Sequence, residues 1–188
     1  MNKNNPYRIL GVDPGSNVMG FAIVEITNRK AKVLEMGAIS MKHFKEHVMK
    51  LKMIFEELQM LIEKYHPERM AIEAPFYGKN VQSMLKLGRA QGVAMAAAIT
   101  SGVDVMEYSP KKIKQSITGS GNASKEQVAA MLENILKVKI DNTELDATDA
   151  LATAICHFFQ SSSVLGNKKK YNDWSSFVKD NPNRVKKK

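Results

Sequence analysis

Apolar and polar positions change period several times along the chain, and each change marks an element. Tyr7–Asp13 is a short apolar run, Pro14-Gly15-Ser16-Asn17 has turn chemistry, and residues 18–26 are apolar again. Thr27-Asn28-Arg29-Lys30 makes a polar hairpin connection into 31–40, so this region reads as three strands. From Phe44 the period lengthens. Phe44, Val48, Leu51, Phe55, Leu58, Ile62 and Tyr65 recur at three- and four-residue spacing, the apolar stripe of a helix that Pro67 stops. Arg69–Glu73 reads as a buried fourth strand, 81 to about 101 as a second helix, and 103–108 as a fifth strand. Ser109 followed by Pro110 starts a third helix, a cap residue with proline at the first helical position. Thr118-Gly119-Ser120-Gly121-Asn122 is a loop, and Ser124 with Gln127 three residues on is a capping-box start for a fourth helix. A last helix runs from about 143 to 160. Three meandering strands followed by alternating helix and strand specify an α/β fold: a five-stranded mixed sheet flanked by helices on both faces.

Composition narrows this picture. The 188 residues, 44% hydrophobic and 25% charged, suffice for one domain with a real core. The longest weakly polar stretch, 92–100, falls far short of the roughly 20 residues that span a bilayer. No apolar signal segment precedes the first strand, and the single cysteine, Cys156, has no partner for an internal disulfide. A cytoplasmic protein is expected, not a secreted or membrane one. The net charge of +9 is uneven: residues 161–188 hold eight Lys/Arg against Asp173 and Asp180, a net +6. The expected organisation is a domain over 1–160 and a basic C-terminal tail over 161–188. Polyanions are the natural partners of such a chain, although a solvated tail has the same composition.

Four acids carry the candidate chemistry. Asp13 ends the first strand and Glu73 the fourth. If those strands are parallel neighbours, their ends bring the two carboxylates within one strand spacing, about 4.8 Å. Asp146 and Asp149, three apart on the last helix, share a face whose other residues are apolar. Taken singly, Asp13 has a use as a turn cap and Asp146 as a first-turn partner of the helix dipole. Glu73, within Met-Ala-Ile-Glu-Ala-Pro, and Asp149, one turn deeper than Asp146, have no such use. Converging acids without basic partners repel unless cations hold them, and an oxygen-only donor set suits Mg²⁺ or Mn²⁺. Two such ions about 3.5–4 Å apart serve phosphodiester hydrolysis.

The chain resembles the RuvC family of Holliday junction resolvases, on the ribonuclease-H-like fold. The resemblance rests on Ile9-Leu10-Gly11-Val12-Asp13-Pro14-Gly15-Ser16, Ala71-Ile72-Glu73-Ala74-Pro75-Phe76 and Leu85-Lys86-Leu87-Gly88-Arg89-Ala90-Gln91-Gly92. It continues through Tyr108-Ser109-Pro110 to Lys114-Gln115, Gly119-Ser120-Gly121-Asn122-Ala123-Ser124-Lys125 and Asp146-Ala147-Thr148-Asp149-Ala150-Leu151-Ala152, in family order over about 7–160. It implies a homodimeric, metal-dependent endonuclease that nicks two opposed strands of four-way junction DNA, leaving 5′-phosphate and 3′-hydroxyl ends. Asp13, Glu73, Asp146 and Asp149 match the family's catalytic, metal-binding acids, with Mg²⁺ or Mn²⁺, two ions per site. Some members have histidine where this chain has Asp146. Phe76 matches an aromatic that stacks on an unpaired base, Lys114 and Lys125 match basic residues near the scissile phosphate, and Lys79 continues the nucleic-acid-binding pattern. The RuvA and RuvB branch-migration proteins are the implied partners. No family role extends to 161–188.

Other features read more plainly. Gly88, Gly92 and Ala96 recur every four residues, a smooth stripe suited to a sister helix or to the chain's own sheet. His43 and His47, four apart on a polar helix face, lack a third ligand nearby and read as solvated. The twelve methionines read as core filler and Cys156 as an inert core thiol. Three competing functions remain to be separated. A phosphotransferase of the actin and sugar-kinase type shares the Asp-x-Gly-Ser hairpin but needs two lobes. A non-catalytic junction-binding protein would favour fewer acids near DNA. A ribonuclease H-type enzyme acting on RNA–DNA hybrids needs a substrate panel to exclude.

Overall fold

A computed structural model describes residues 6–75, 80–140 and 145–164. Five strands, β1 (Tyr7–Asp13), β2 (Val18–Thr27), β3 (Lys30–Ser40), β4 (Arg69–Glu73) and β5 (Asp104–Tyr108), form one sheet in the order β3-β2-β1-β4-β5. β1, β2 and β3 meander antiparallel, whereas β4 and β5 run parallel to β1. Asn28 and Arg29, both in the left-handed region (φ 51° and 60°), make the two-residue turn that pairs Thr27 with Lys30. Two successive positive φ values match the strands' right-handed twist, which is why so short a connection works.

Side-chain alternation divides the sheet into two faces. Leu10, Val12, Met19, Ile23, Met70 and Ile72 point to one side, where α1 (His47–Tyr65) and α2 (Val81–Thr100) cover them. Ile9, Ala22, Val24, Ile26 and Ala71 point to the other, beneath α3 (Pro110–Thr118), α4 (Lys125–Leu136) and α5 (Leu145–Val164). Helices thus flank both faces, as the strand–helix alternation predicts. Each fully buried side chain such as Leu58, Ile72 or Leu151 contributes about 1.5–3 kcal/mol.

Helix starts follow local chemistry closely. The Ser109 hydroxyl accepts from the Lys112 N–H at 3.3 Å, with Pro110 at the first helical position. Ser124 and Gln127 complete the capping box: the Gln127 N–H donates to Ser124 Oγ at 3.3 Å, and the Ser124 N–H to Gln127 Oε1 at 2.9 Å.

Four expectations need correction. The first helix begins at His47 and not near Phe44, because its N-cap, Glu46, is extended and supplies no side-chain cap. Its buried stripe is Ile54, Leu58, Leu61 and Ile62, whereas Val48 is 71% exposed. Phe44 packs on the same core from the preceding turn, and His43 stacks on it, so the two histidines do not share a helix face. The last helix extends to Val164, four residues past 160, and its expected start near 143 lies outside the described residues. Cys156 is buried, as its apolar surroundings predict.

Candidate active site

β1 and β4 are parallel neighbours, with Val12 paired to Ile72. The next residues, Asp13 and Glu73, end their strands side by side. Both lie on the α5 face, because Ile9 and Gly11 precede Asp13, and Ala71 precedes Glu73, at alternating positions. Open α/β sheets place their sites at this strand end.

Two strand glycines set α5 over that edge. A Cβ on Gly11 would run into the Ala150 carbonyl oxygen and lie 2.8 Å from the Ala154 Cβ. A Cβ on Gly20, the residue paired with Asp13, would strike the Asp146 carbonyl oxygen. The helix backbone therefore rests directly on the strand backbones, the close approach that glycine inside a strand permits. Sequence reading passed over both positions, although glycine within an apolar strand is the available signal. The contact sets Asp146, in the first turn of α5, and Asp149, one turn on, over the ends of β1 and β4.

The acids act on one another. Burial, then the Asp149 charge and more weakly Asp146, lift the Asp13 carboxyl from its ordinary 3.8 to about 7, with Lys125 opposing. Burial, then Asp13 and Asp149, lift Glu73 from 4.5 to about 7, with Lys125 and Lys114 opposing. Two carboxyls poised near neutrality beside further acids mark a local excess of negative charge. Lys125, at the start of α4, answers part of it by donating to Asp149 Oδ2. Partial burial works against that ammonium, but the bond to Asp149 and the charges of Asp149, Asp13 and Asp146 prevail and raise its pKa.

Lys114, on α3, is half-buried and close enough for its charge to reach Glu73. Phe76 and Lys79 lie outside the described residues, as do 165–188, which hold all the charge of the expected tail. Among the described residues no three His, Cys, Asp or Glu side chains are already gathered closely enough to enclose an ion. The donor chemistry nevertheless fits a hard divalent cation. All four acids offer oxygen, and a cation would offset both the burial and the mutual repulsion that raise Asp13 and Glu73.

The small-residue stripe on α2 faces away from its own sheet. Gly88 and Gly92 have nothing within 4 Å of a built Cβ, and Ala96 is exposed. Val81, 68% exposed, and Leu85, 57% exposed, extend it, with Met84 and Arg89 around a shallow hollow. No described helix is long and apolar enough to cross a membrane.

The comparisons with known proteins agree with one another. Residues 9–157 match the family model described as crossover junction endodeoxyribonuclease RuvC. A protein of that name from Cytophaga hutchinsonii is 56% identical over 190 aligned residues, covering 99% of this chain and 94% of the relative. Another from Christiangramia forsetii is 53% identical over 95% of this chain and 92% of its own. In structure, the chain is similar to T. thermophilus RuvC in complex with Holliday junction substrate, at TM-score 0.78 and 29% identity over 84% of this chain and 96% of that one. A yeast mitochondrial Holliday junction resolvase shares the fold at TM-score 0.68 and 13% identity.

Proposed function

The chain belongs to the RuvC family of crossover junction endodeoxyribonucleases, and from that membership we propose that it resolves four-way DNA junctions with Asp13, Glu73, Asp146 and Asp149 as its metal-binding, catalytic acids. The observation that carries this reading is the meeting of Asp13 and Glu73 at adjacent parallel strand ends, under a helix that brings two further acids. When bound, Mg²⁺ or Mn²⁺, two ions per site, activates water for attack on phosphorus and stabilises the departing oxygen.

The chain's own residues supply the rest. The four carboxylates at the β1 and β4 ends and on α5 would hold the ions. Because burial and the neighbouring acids raise Asp13 and Glu73 to about 7, binding of a divalent ion there would favour their ionised forms. Lys114 and Lys125 offer ammonium groups to the phosphate beside the scissile bond, and Lys79 adds a backbone contact. Phe76 stacks on a base left unpaired at the crossover. The strand is cut to leave a 5′-phosphate and a 3′-hydroxyl.

A junction presents two equivalent strands, so a two-fold homodimer matches its symmetry, and the outward stripe on α2 is the surface we assign to that contact. RuvA and RuvB are the expected partners in the cytoplasm, and the basic tail adds affinity for DNA. The deciding experiment is cleavage of a synthetic mobile four-way junction by the full chain, beside linear duplex and RNA–DNA hybrid, in Mg²⁺ and in EDTA. Paired nicks confined to the junction and lost in EDTA are expected. Preferential cutting of the hybrid would return the ribonuclease H alternative.

A further inference from the structure

Lys125 occupies a position the proposed chemistry does not require of a phosphate-contacting residue: it is bonded to one of the acids. We infer that Lys125 is the built-in counter-ion of the acidic site, holding Asp149 while no divalent ion is present and releasing it when one binds. The inference rests on the reading of these acids as metal ligands and adds a regulation of that same site.

Three observations support it. The Lys125 ammonium donates to Asp149 Oδ2 across 24 residues of chain, so tertiary structure and not helix periodicity makes the pair. The root of the side chain is held in place, because Lys125 follows Ser124, whose capping box fixes the first turn of α4. Among the described residues this is the one ion pair that reaches any of the four acids. Lys114 acts on Glu73 by its charge but, among the described residues, makes no ion pair with any of the four acids.

The two cations exclude each other for a simple reason. Mg²⁺ binds carboxylate oxygen at about 2.0–2.1 Å, with little tolerance in geometry. An ammonium on the same oxygen would stand against a divalent charge at close range. Lys125 therefore has to leave Asp149 as the ion enters, and its 54% exposed side chain has solvent to move into. Once released, it is free to meet a phosphate. The protein exchanges this internal bond for contacts to the ion and to phosphate, which partly neutralises Asp149 before the ion binds and frees a cation afterwards.

Removing the ammonium should therefore tighten metal binding in the absence of DNA. For a partly exposed pair of this kind, Lys125→Met should bind Mn²⁺ roughly twofold to fivefold more tightly than wild type at low salt. Lys125→Arg, which keeps the charge, should stay near the wild-type affinity. Free Mn²⁺ followed by electron paramagnetic resonance on the full-length protein reads both. A second measurement needs no variant. Acylation of wild-type lysines, read by mass spectrometry, should show Lys125 protected in EDTA and several-fold more reactive with saturating Mn²⁺. Unchanged Mn²⁺ affinity in Lys125→Met, or Lys125 reactivity indifferent to Mn²⁺, overturns the inference. Either result would mean that the ion takes the other Asp149 oxygen beside the lysine. Absence of saturable Mn²⁺ binding in wild type is a different failure: it removes the metal-site reading, and the inference with it.

Discussion

Asp13→Asn should stabilise the ion-free protein while abolishing cleavage, and the gain should depend on pH in a way that identifies its cause. Asparagine keeps the volume and removes the charge. In the folded chain the Asp13 carboxyl is lifted from 3.8 to about 7, mainly by burial and then by Asp149 and Asp146. Below about pH 4 the group is protonated whether the chain is folded or not, so the substitution changes little. Between about 4 and 7 the folded state binds more protons than the unfolded one, so wild-type stability falls as pH rises. Above 7 the whole penalty is present. At about 1.4 kcal/mol per pH unit the ceiling is about 4 kcal/mol. Glu73 titrates in the same range and shares the repulsion, and solvent reaches part of the site, so about half of that is the realistic gain. For a domain of this size, 2 kcal/mol raises Tm by about 4–8 °C. Melting curves in EDTA at several pH values, with junction cleavage in Mg²⁺ alongside, read both effects. A variant no more stable than wild type at pH 8, or one whose advantage is the same at pH 4, would refute the electrostatic reasoning.

Asp149→Asn should abolish cleavage while sparing junction binding, and near-normal cutting at saturating Mg²⁺ would remove Asp149 from the site. Gly11→Ala should cost about 1–3 kcal/mol, and more if α5 cannot shift, because its methyl meets the Ala150 carbonyl; an unchanged Tm and cleavage rate would show that the helix seat is loose. Gly92→Leu should leave the fold intact, since nothing lies within 4 Å of its built Cβ, yet lower the mass seen by light scattering from a dimer towards 21.0 kDa. A wild-type chain already at that mass at micromolar concentration would exclude the dimer. Truncation after Val164 removes a net +6 and should weaken junction binding, flattening the slope of log affinity against log salt by about 0.9 per lost phosphate contact. Turnover of bound junction should be little changed, and an unchanged slope would show that the tail does not touch DNA.

Much of this was legible because strand and helix patterns here are strongly periodic and their ends carry unambiguous signals. Ser109-Pro110 and Ser124-x-x-Gln127 fix helix starts within a residue, since the side chains that satisfy the first N–H groups are local in sequence. The side-by-side placement of Asp13 and Glu73, just past the Val12–Ile72 pair, followed from strand periodicity and one topological rule. The first turn of α1 was less readable: Phe44 and Val48 continue the apolar spacing, but no capping side chain marks the true start, and Val48 faces solvent. Sequence spacing left the Gly88-Gly92-Ala96 stripe undecided between two neighbours, because period alone does not say which side of a helix meets the sheet. The bond from Lys125 to Asp149 had no local signature either. It joins residues that only the packed α4 and α5 bring together.

The seating of α5 on Gly11 and Gly20 also bears on how the protein comes into being. A ribosome delivers Asp13 and Glu73 well before the helix that carries Asp146 and Asp149, and that same helix covers one apolar face of the central strands. A nascent chain therefore passes through most of its synthesis with the sheet half-clothed and its acids incomplete. Pairings between residues so distant in sequence form slowly, after much of the chain is available. If Asp146 and Asp149 act as proposed, competence to cut and completion of the core arrive together, with the docking of one late helix. Fragments released before that point would lack a closed core and would be open to proteolysis.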